Sequence, residues 1–128
     1  MNWSNTTLGS SPGEYRIYYK VSQILDPGPS KTFVFVDEPE DRVNDSFFVT
    51  DMLVYPTTTQ DICDFPANYH GGGAGFSFAD GHAELKTWKT PLLLKRPEKG
   101  VVLPYPTALN EVNRDVLWLM EHATRRIE

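Results

Sequence analysis

Apolar residues recur at every second position over much of this chain. From Tyr15 to Ile24 the side chains of Tyr15, Ile17, Tyr19 and Val21 share one face at period two, which predicts a strand, with a short helix near its end as the alternative. DPGPS (26–30) stops either pattern with two prolines and a glycine. TFVFV (32–36) is an unbroken β-branched and aromatic run, predicting a strand covered on both faces. Asp37-Glu38-Pro39 ends it, because proline cannot donate to a ladder. A charged loop follows, and SFFVT (46–50) and Met52 to Tyr55 read as further short strands. Residues 57–73 form a long polar connection ending in three glycines.

The clearest local signal is FSFADGHAELKTW, residues 76–88. Asp80-Gly81 suits a two-residue type I′ turn, and pairing outward from it sets Ala79 opposite His82, Phe78 opposite Ala83, Ser77 opposite Glu84 and Phe76 opposite Leu85. That register gathers Phe76, Phe78, Ala83 and Leu85 on an apolar face, a segregation that a one-residue slip destroys. Residues 89–106 carry four prolines and read as irregular. The end is helical, with Val116, Leu119 or Met120, Ala123 and Ile127 on one stripe. Asn113 is placed as its N-cap, Asp115 in its first turn, and Arg125 and Arg126 in its last turn, where they complement the helix dipole. Strands first and a helix last predict an α+β fold, an antiparallel sheet with long loops and a C-terminal helix. Residues 1–13 read as a flexible leader and 14–128 as the globular domain.

Composition narrows the functional classes. The chain has 128 residues, 40% of them hydrophobic and 12% aromatic, enough for one modest core. A net charge of -5 leaves no electrostatic footprint for nucleic acid; the basic stretches at Lys95-Arg96-Lys99 and Arg125-Arg126 are too small to create one. One cysteine, Cys63, excludes an internal disulfide framework, and its neighbours Asp61 and Asp64 disfavour a thiolate. No apolar run approaches the roughly 20 residues that span a bilayer. The triglycine at 71–73 lacks the Lys-Ser/Thr of a phosphate loop.

His70 and Asp80-Gly81 are separated as H-x9-DG. With TFVFVDE after a Pro-Ser turn, an aromatic-His approach to a glycine loop, the FADGH hairpin, Trp88 soon after it and a C-terminal WL helix, the chain resembles the prepilin-type, processing-associated H-x9-DG domain family. The resemblance runs from about Tyr15 to Ile127. It implies the head of a pseudopilin-like, type II secretion-like assembly protein, in the cell envelope, anchored in the inner membrane and polymerised through a methylated hydrophobic N-terminal helix. This chain does not contain that helix, and the expectation is that such a segment was removed from ahead of Met1. Partners would be other pseudopilin or pilin subunits or secretion-machinery proteins, engaged through the missing helix, with no nucleic acid and no other membrane contact.

The motif residues are His70, Asp80 and Gly81. A two-residue turn needs Asp80-Gly81 whatever the protein does, whereas His70 either hydrogen-bonds the glycine loop or a nearby acid, or binds a ligand. Candidate metal ligands are Asp37, Glu38, His70, Asp80 and His82, with Asp61 and Asp64 able to join the acids at the end of the TFVFV strand in an oxygen-rich calcium site. His82 is placed on the polar, solvated face beside the turn. No catalytic residue is assigned and the expectation is a non-enzyme. The alternatives are a small metal-dependent hydrolase, or a calcium- or carbohydrate-binding module using the His70/Asp80 region. Against the hydrolase, no His-Glu-x-x-His spacing and no nucleophile beside a base is present. Trp3, Trp88 and Trp118 offer sugar-stacking surfaces, with core or rim packing favoured for the latter two.

Overall fold

The computed structural model describes residues 15–40, 43, 48–50, 52, 55–56, 61–62, 64–94, 107–108 and 113–127. The leader, Trp3, Cys63 and the Lys95-Arg96-Lys99 stretch lie outside them. The fold is α+β: a three-stranded antiparallel sheet with one helix near the C-terminus. Strands β1 (Phe33–Val36), β3 (Gly73–Phe78) and β4 (Ala83–Thr87) lie in the order β1-β3-β4. Two short strands, β2 (Asp61–Ile62) and β5 (Thr107–Ala108), pair separately, and a one-turn helix α1 (Pro91–Leu94) precedes β5. Helix α2 spans Arg114–Glu121.

Several expectations change. The predicted strand from Tyr15 to Ile24 is a single antiparallel bridge, Tyr15 to Arg126, followed by a 3-10 turn at Val21–Gln23. Of the alternating set only Tyr15 is buried; Ile17, Tyr19 and Val21 face solvent, and among the described residues the pairing to the Arg126 segment stops at Arg16, whose N–H donates to the Arg125 carbonyl. The SFFVT segment is described only over Phe48–Thr50, which is irregular.

β1 is an edge strand, not one covered on both faces. Its register against β3 shifts between Phe33, which pairs with Phe78, and Phe35, which pairs with Ser77. This bulge breaks the period of two, so two residues that a regular strand would place on one face point to opposite faces. Phe33 is 5% exposed and Phe35 is 73% exposed.

The hairpin forms, in a different register. The observed pairs are Ser77 with Ala83, Phe76 with Glu84 and Gly75 with Leu85. Phe78 N–H donates to the His82 carbonyl and Gly81 N–H to the Phe78 carbonyl, both at 2.9 Å. Gly81 has φ +93° and no described non-glycine residue has positive φ. The loop is therefore the three residues Ala79-Asp80-Gly81 ending in a left-handed glycine, instead of a two-residue I′ turn. The added residue swaps the faces of β4. Leu85 turns outward, 67% exposed, while His82, Lys86 and Trp88 turn toward the helix side.

The core lies between the sheet and α2. Phe33, Phe76, Phe78, Trp88, Val116, Leu119 and Met120 belong to one buried cluster, with Trp118 packed against it. Phe76 meets Phe33, Trp88 and Trp118 edge-to-face at centroid distances of 5.2, 6.0 and 5.0 Å. Burying each such aromatic contributes about 1.5–3 kcal/mol, so this ring cluster is the main cohesive element. Trp88, 2% exposed, satisfies its indole N–H on the Ala67 carbonyl at 2.7 Å. Gly73 allows the close approach of β3 to β4, since a Cβ there would collide with the Lys86 carbonyl.

Asn113 caps α2 as predicted, accepting from the N–H groups of Asp115 and Val116. Asp115 does more than complement the dipole. It is buried, and one carboxylate oxygen accepts from the N–H of Lys89 (2.7 Å) and from the N–H (2.8 Å) and hydroxyl (2.7 Å) of Thr90, tying the helix start to the exit of β4. Lys86 Nζ lies 3.6 Å from its other oxygen. Burial pushes the Asp115 carboxyl up, but these hydrogen bonds and the Lys86 charge outweigh it and hold it below the usual carboxylate range. Arg125 and Arg126 lie beyond the last turn. Arg125 nonetheless donates to the Glu121 carbonyl, the role anticipated for a basic residue at this end.

Candidate functional site

The H-x9-DG spacing acquires a geometric meaning in this fold. His70 stands just ahead of β3 and Asp80-Gly81 at its far end, so the nine intervening residues are a glycine bend, the whole central strand and one loop residue. At the first end, Gly71 (φ +64°) and Gly72 (φ +86°) turn the chain into β3, and His70 N–H closes the bend on the Gly73 carbonyl at 3.3 Å. Consecutive left-handed residues are routine only for glycine.

His70 does not act alone. Its Nε2 lies 3.3 Å from Asp37 Oδ2, both side chains half-exposed. Asp37 follows β1 directly and clamps the ladder. Its N–H donates to the Gly75 carbonyl at 3.1 Å, and Oδ2 accepts the Gly75 N–H at 3.1 Å. The Asp37 main-chain carbonyl is thereby released to accept from Ala67 N–H at 2.7 Å. Gly75 is part of this site, because a Cβ there would stand 2.8 Å from Asp37 Oδ2. The His70 side chain thus contacts a nearby acid, one of the roles open to it. Gly75 escaped sequence reasoning; its signal is a glycine inside a strand pattern, which marks a close approach.

At the second end, Asp80 Oδ1 accepts the His82 N–H at 3.1 Å and also meets the His82 ring nitrogen Nδ1. His82 Nε2 lies 3.1 Å from Glu84 Oε1, and the ring stacks on Phe78 at 4.4 Å and 7°. His82 is thus held between two carboxylates on an aromatic face, on the helix side of the sheet but, as expected, in reach of solvent. The Asp80 hydrogen bond, seconded by Glu84, raises the His82 pKa. The His82 N–H, and then its ring, lower that of Asp80.

The five candidate metal ligands therefore divide. Asp37 and His70 meet at one end of β3, Asp80 and His82 at the other, and Glu38 is half-buried one residue beyond Asp37. Asp37 is bonded to Gly75 and lines the outer face, whereas His82 stacks on Phe78 on the helix side, so the two pairs lie on opposite faces of the sheet. Among the described residues no group of three or more His, Cys, Asp or Glu side chains is gathered to hold a metal ion. Asp64, proposed for the oxygen-rich set, instead accepts the Val49 N–H at 2.5 Å, and the side chain of Asp61 lies outside the described residues. Trp88 is buried and Trp118 stacks on His122 at 4.1 Å, so both serve packing.

On the outer face of the sheet, Phe35, Asp37, Gly75, Ser77, Ala83 and Leu85 line an open, largely apolar groove of about 350 Å³. Gly75 and Ser77 form its low floor, with Phe35 and Leu85 on the strands to either side. No family model, curated protein or solved structure matches this chain. The site must accordingly be read from its own geometry: two histidine–carboxylate pairs fastening the ends of the central strand, beside an outer face that stays apolar. Among the described residues no helix is long and apolar enough to cross a membrane.

Proposed function

We propose that this domain is the globular head of a prepilin-like, pseudopilin-class envelope protein, with an assembly role instead of a catalytic one. The observation that carries the reading is the placement of the motif: His70 and Asp80-Gly81 bracket the central strand and fasten it at both ends. In an assembly protein the motif would then serve the rigidity of the head. The chain ends add support. Tyr15 is buried, bridges Arg126 and donates its hydroxyl to the Met52 carbonyl at 2.8 Å, while Arg16 N–H donates to the Arg125 carbonyl at 2.9 Å. Load arriving through an N-terminal stem would pass straight into the core. On this reading the partners are other pilin-like subunits or secretion-machinery proteins and the site of action is the cell envelope.

The test is the intact gene. The encoded sequence ahead of this domain should show a short basic leader, then about 20 apolar residues with Glu at the fifth position. The expressed product should fractionate with the inner membrane and shorten when a prepilin peptidase is co-expressed. A native protein without that stem, recovered in the soluble fraction, removes the assignment.

A further inference from the structure

We infer that β4 is a self-association edge, pairing antiparallel with the β4 of a second copy about a two-fold axis at Leu85. The proposal stands independently of the pilin reading and rests on three observations about this strand.

First, among the described residues the edge is open. Phe78 N–H bonds the His82 carbonyl and Trp88 N–H bonds the Gly72 carbonyl, so the even-numbered residues of β4 spend their main-chain groups on β3. In an antiparallel ladder the odd residues, Ala83, Leu85 and Thr87, then aim N–H and C=O away from it. No hydrogen bond to any of these outward groups is found among the described residues. The opposite edge of the sheet is occupied in part, since Phe33 N–H donates to the His122 carbonyl.

Second, the edge carries neither of the backbone devices that keep such strands apart, although it is short and its charged residues Glu84 and Lys86 point to the helix side. β4 contains no proline, and its register against β3 runs without a bulge. Its lysine, Lys86, does not guard the outer face. It turns to the helix side, with Nζ 5.4 Å from the Trp118 ring centre. The residue at the middle of the outer face is Leu85, 67% exposed.

Third, the sequence Ala83-Glu84-Leu85-Lys86-Thr87 is complementary to itself when reversed. Centring the two-fold on Leu85 sets Leu85 against its own copy, Ala83 against Thr87, and Glu84 against Lys86, twice by symmetry. The pairs that must exchange hydrogen bonds in this register are those of Ala83, Leu85 and Thr87, the residues whose groups point outward. A pairing displaced by one residue along the edge would face each strand with the wrong set of groups. Opposite charges directly across a ladder are favourable and like charges unfavourable. Charge thus selects a second copy of this chain in this register over an arbitrary strand. The product is a continuous six-stranded sheet that covers both Leu85 side chains.

A five-residue edge buries less than a standard interface, so the association is weak and concentration-dependent. Sedimentation of the folded domain up to about 1 mM should show a monomer–dimer equilibrium. Glu84→Gln should weaken it and Glu84→Lys should weaken it about tenfold or more, because two attractive pairs become two repulsive ones. That direction is diagnostic. The chain carries a net charge of -5, so adding positive charge reduces general repulsion and would otherwise favour association. Leu85→Pro is the second variant. It removes an outward N–H at the centre of the pairing, leaves the β3 bonds intact, and should give a monomer at every concentration. Thermal melts establish that each variant is folded. A strictly monomeric wild-type chain overturns the proposal, as does a dimer that neither Glu84→Lys nor Leu85→Pro weakens.

Discussion

Asp37 takes over, at the end of β1, the task of a main-chain carbonyl: its carboxylate accepts the Gly75 N–H while the carbonyl itself turns to Ala67. Three residues share this arrangement and their contributions should differ by mechanism. A Cβ at Gly75 would meet the carboxylate at 2.8 Å and drive it off the strand, costing the hydrogen bond and leaving the N–H without its acceptor. Gly75→Ala should therefore destabilise by about 1–3 kcal/mol. Asp37→Ala removes the acceptor without the collision and should cost about 1 kcal/mol. His70→Ala removes one half-exposed partner of this carboxylate, worth about 0–1 kcal/mol. Urea midpoints of the three variants should fall in that order below the wild type. A His70→Ala variant less stable than Asp37→Ala would show that His70 does something beyond steadying this carboxylate.

Among the elements, the hairpin shows most plainly what a sequence reveals and what it leaves open. The Asp-Gly pair marks a bend, and the bend is there. A two-residue I′ loop and a three-residue loop with a left-handed glycine draw on the same residues, however, and they differ by one position in register. The apolar count favoured the first by placing Ala83 and Leu85 inward. The fold takes the second because Trp88 is a larger side chain to bury, and because His82 and Lys86 can lay their stems or rings on Phe78 and Trp118. β1 repeats the lesson, since a bulge between Phe33 and Phe35 is invisible in a run where every residue is apolar. The Asn113 cap was legible from local chemistry alone. Pairings such as Asp37 with Gly75 and Asp115 with Thr90 were not, because they join residues 38 and 25 positions apart. The loop assignment predicts an asymmetry: Gly81→Ala should cost about 1–2 kcal/mol, because Gly81 alone in the loop is left-handed. Asp80→Gly should also destabilise, because Asp80 is not left-handed here and glycine brings only its greater unfolded-state freedom, whereas a I′ turn would gain from glycine at that position. An Asp80→Gly variant that melts above the wild type would return the hairpin to the two-residue form.

For the molecule as a whole, two histidines in contact with the same Phe78 ring give stability opposite slopes with pH. His82 is raised by the Asp80 and Glu84 carboxylates, so its contribution is complete below the ordinary histidine value of about 6.5 and fades as pH climbs through the higher folded value. Asp80 is lowered, and its contribution is present above about 3.9 and lost as pH falls through the lower folded value. That pair is therefore strongest between these limits, but it is solvent-exposed and salt screens it. His122 behaves in reverse. Burial between Trp118 and the sheet lowers its pKa, against a hydrogen bond to the Trp118 carbonyl at 2.8 Å. Its contribution is complete above about 6.5 and lost as pH falls, since the unfolded chain takes up the proton first. Being half-buried, this term survives salt that suppresses the other. In high salt, replacing His122 with Gln keeps an N–H donor for the carbonyl but removes the titration. The melting temperature of His122→Gln relative to wild type should then rise steadily as the buffer moves from about pH 7.5 to about pH 5.5. A difference that stays constant over that interval would mean that His122 titrates alike in the folded and unfolded chains, and that the aromatic layer between sheet and helix is open to water there.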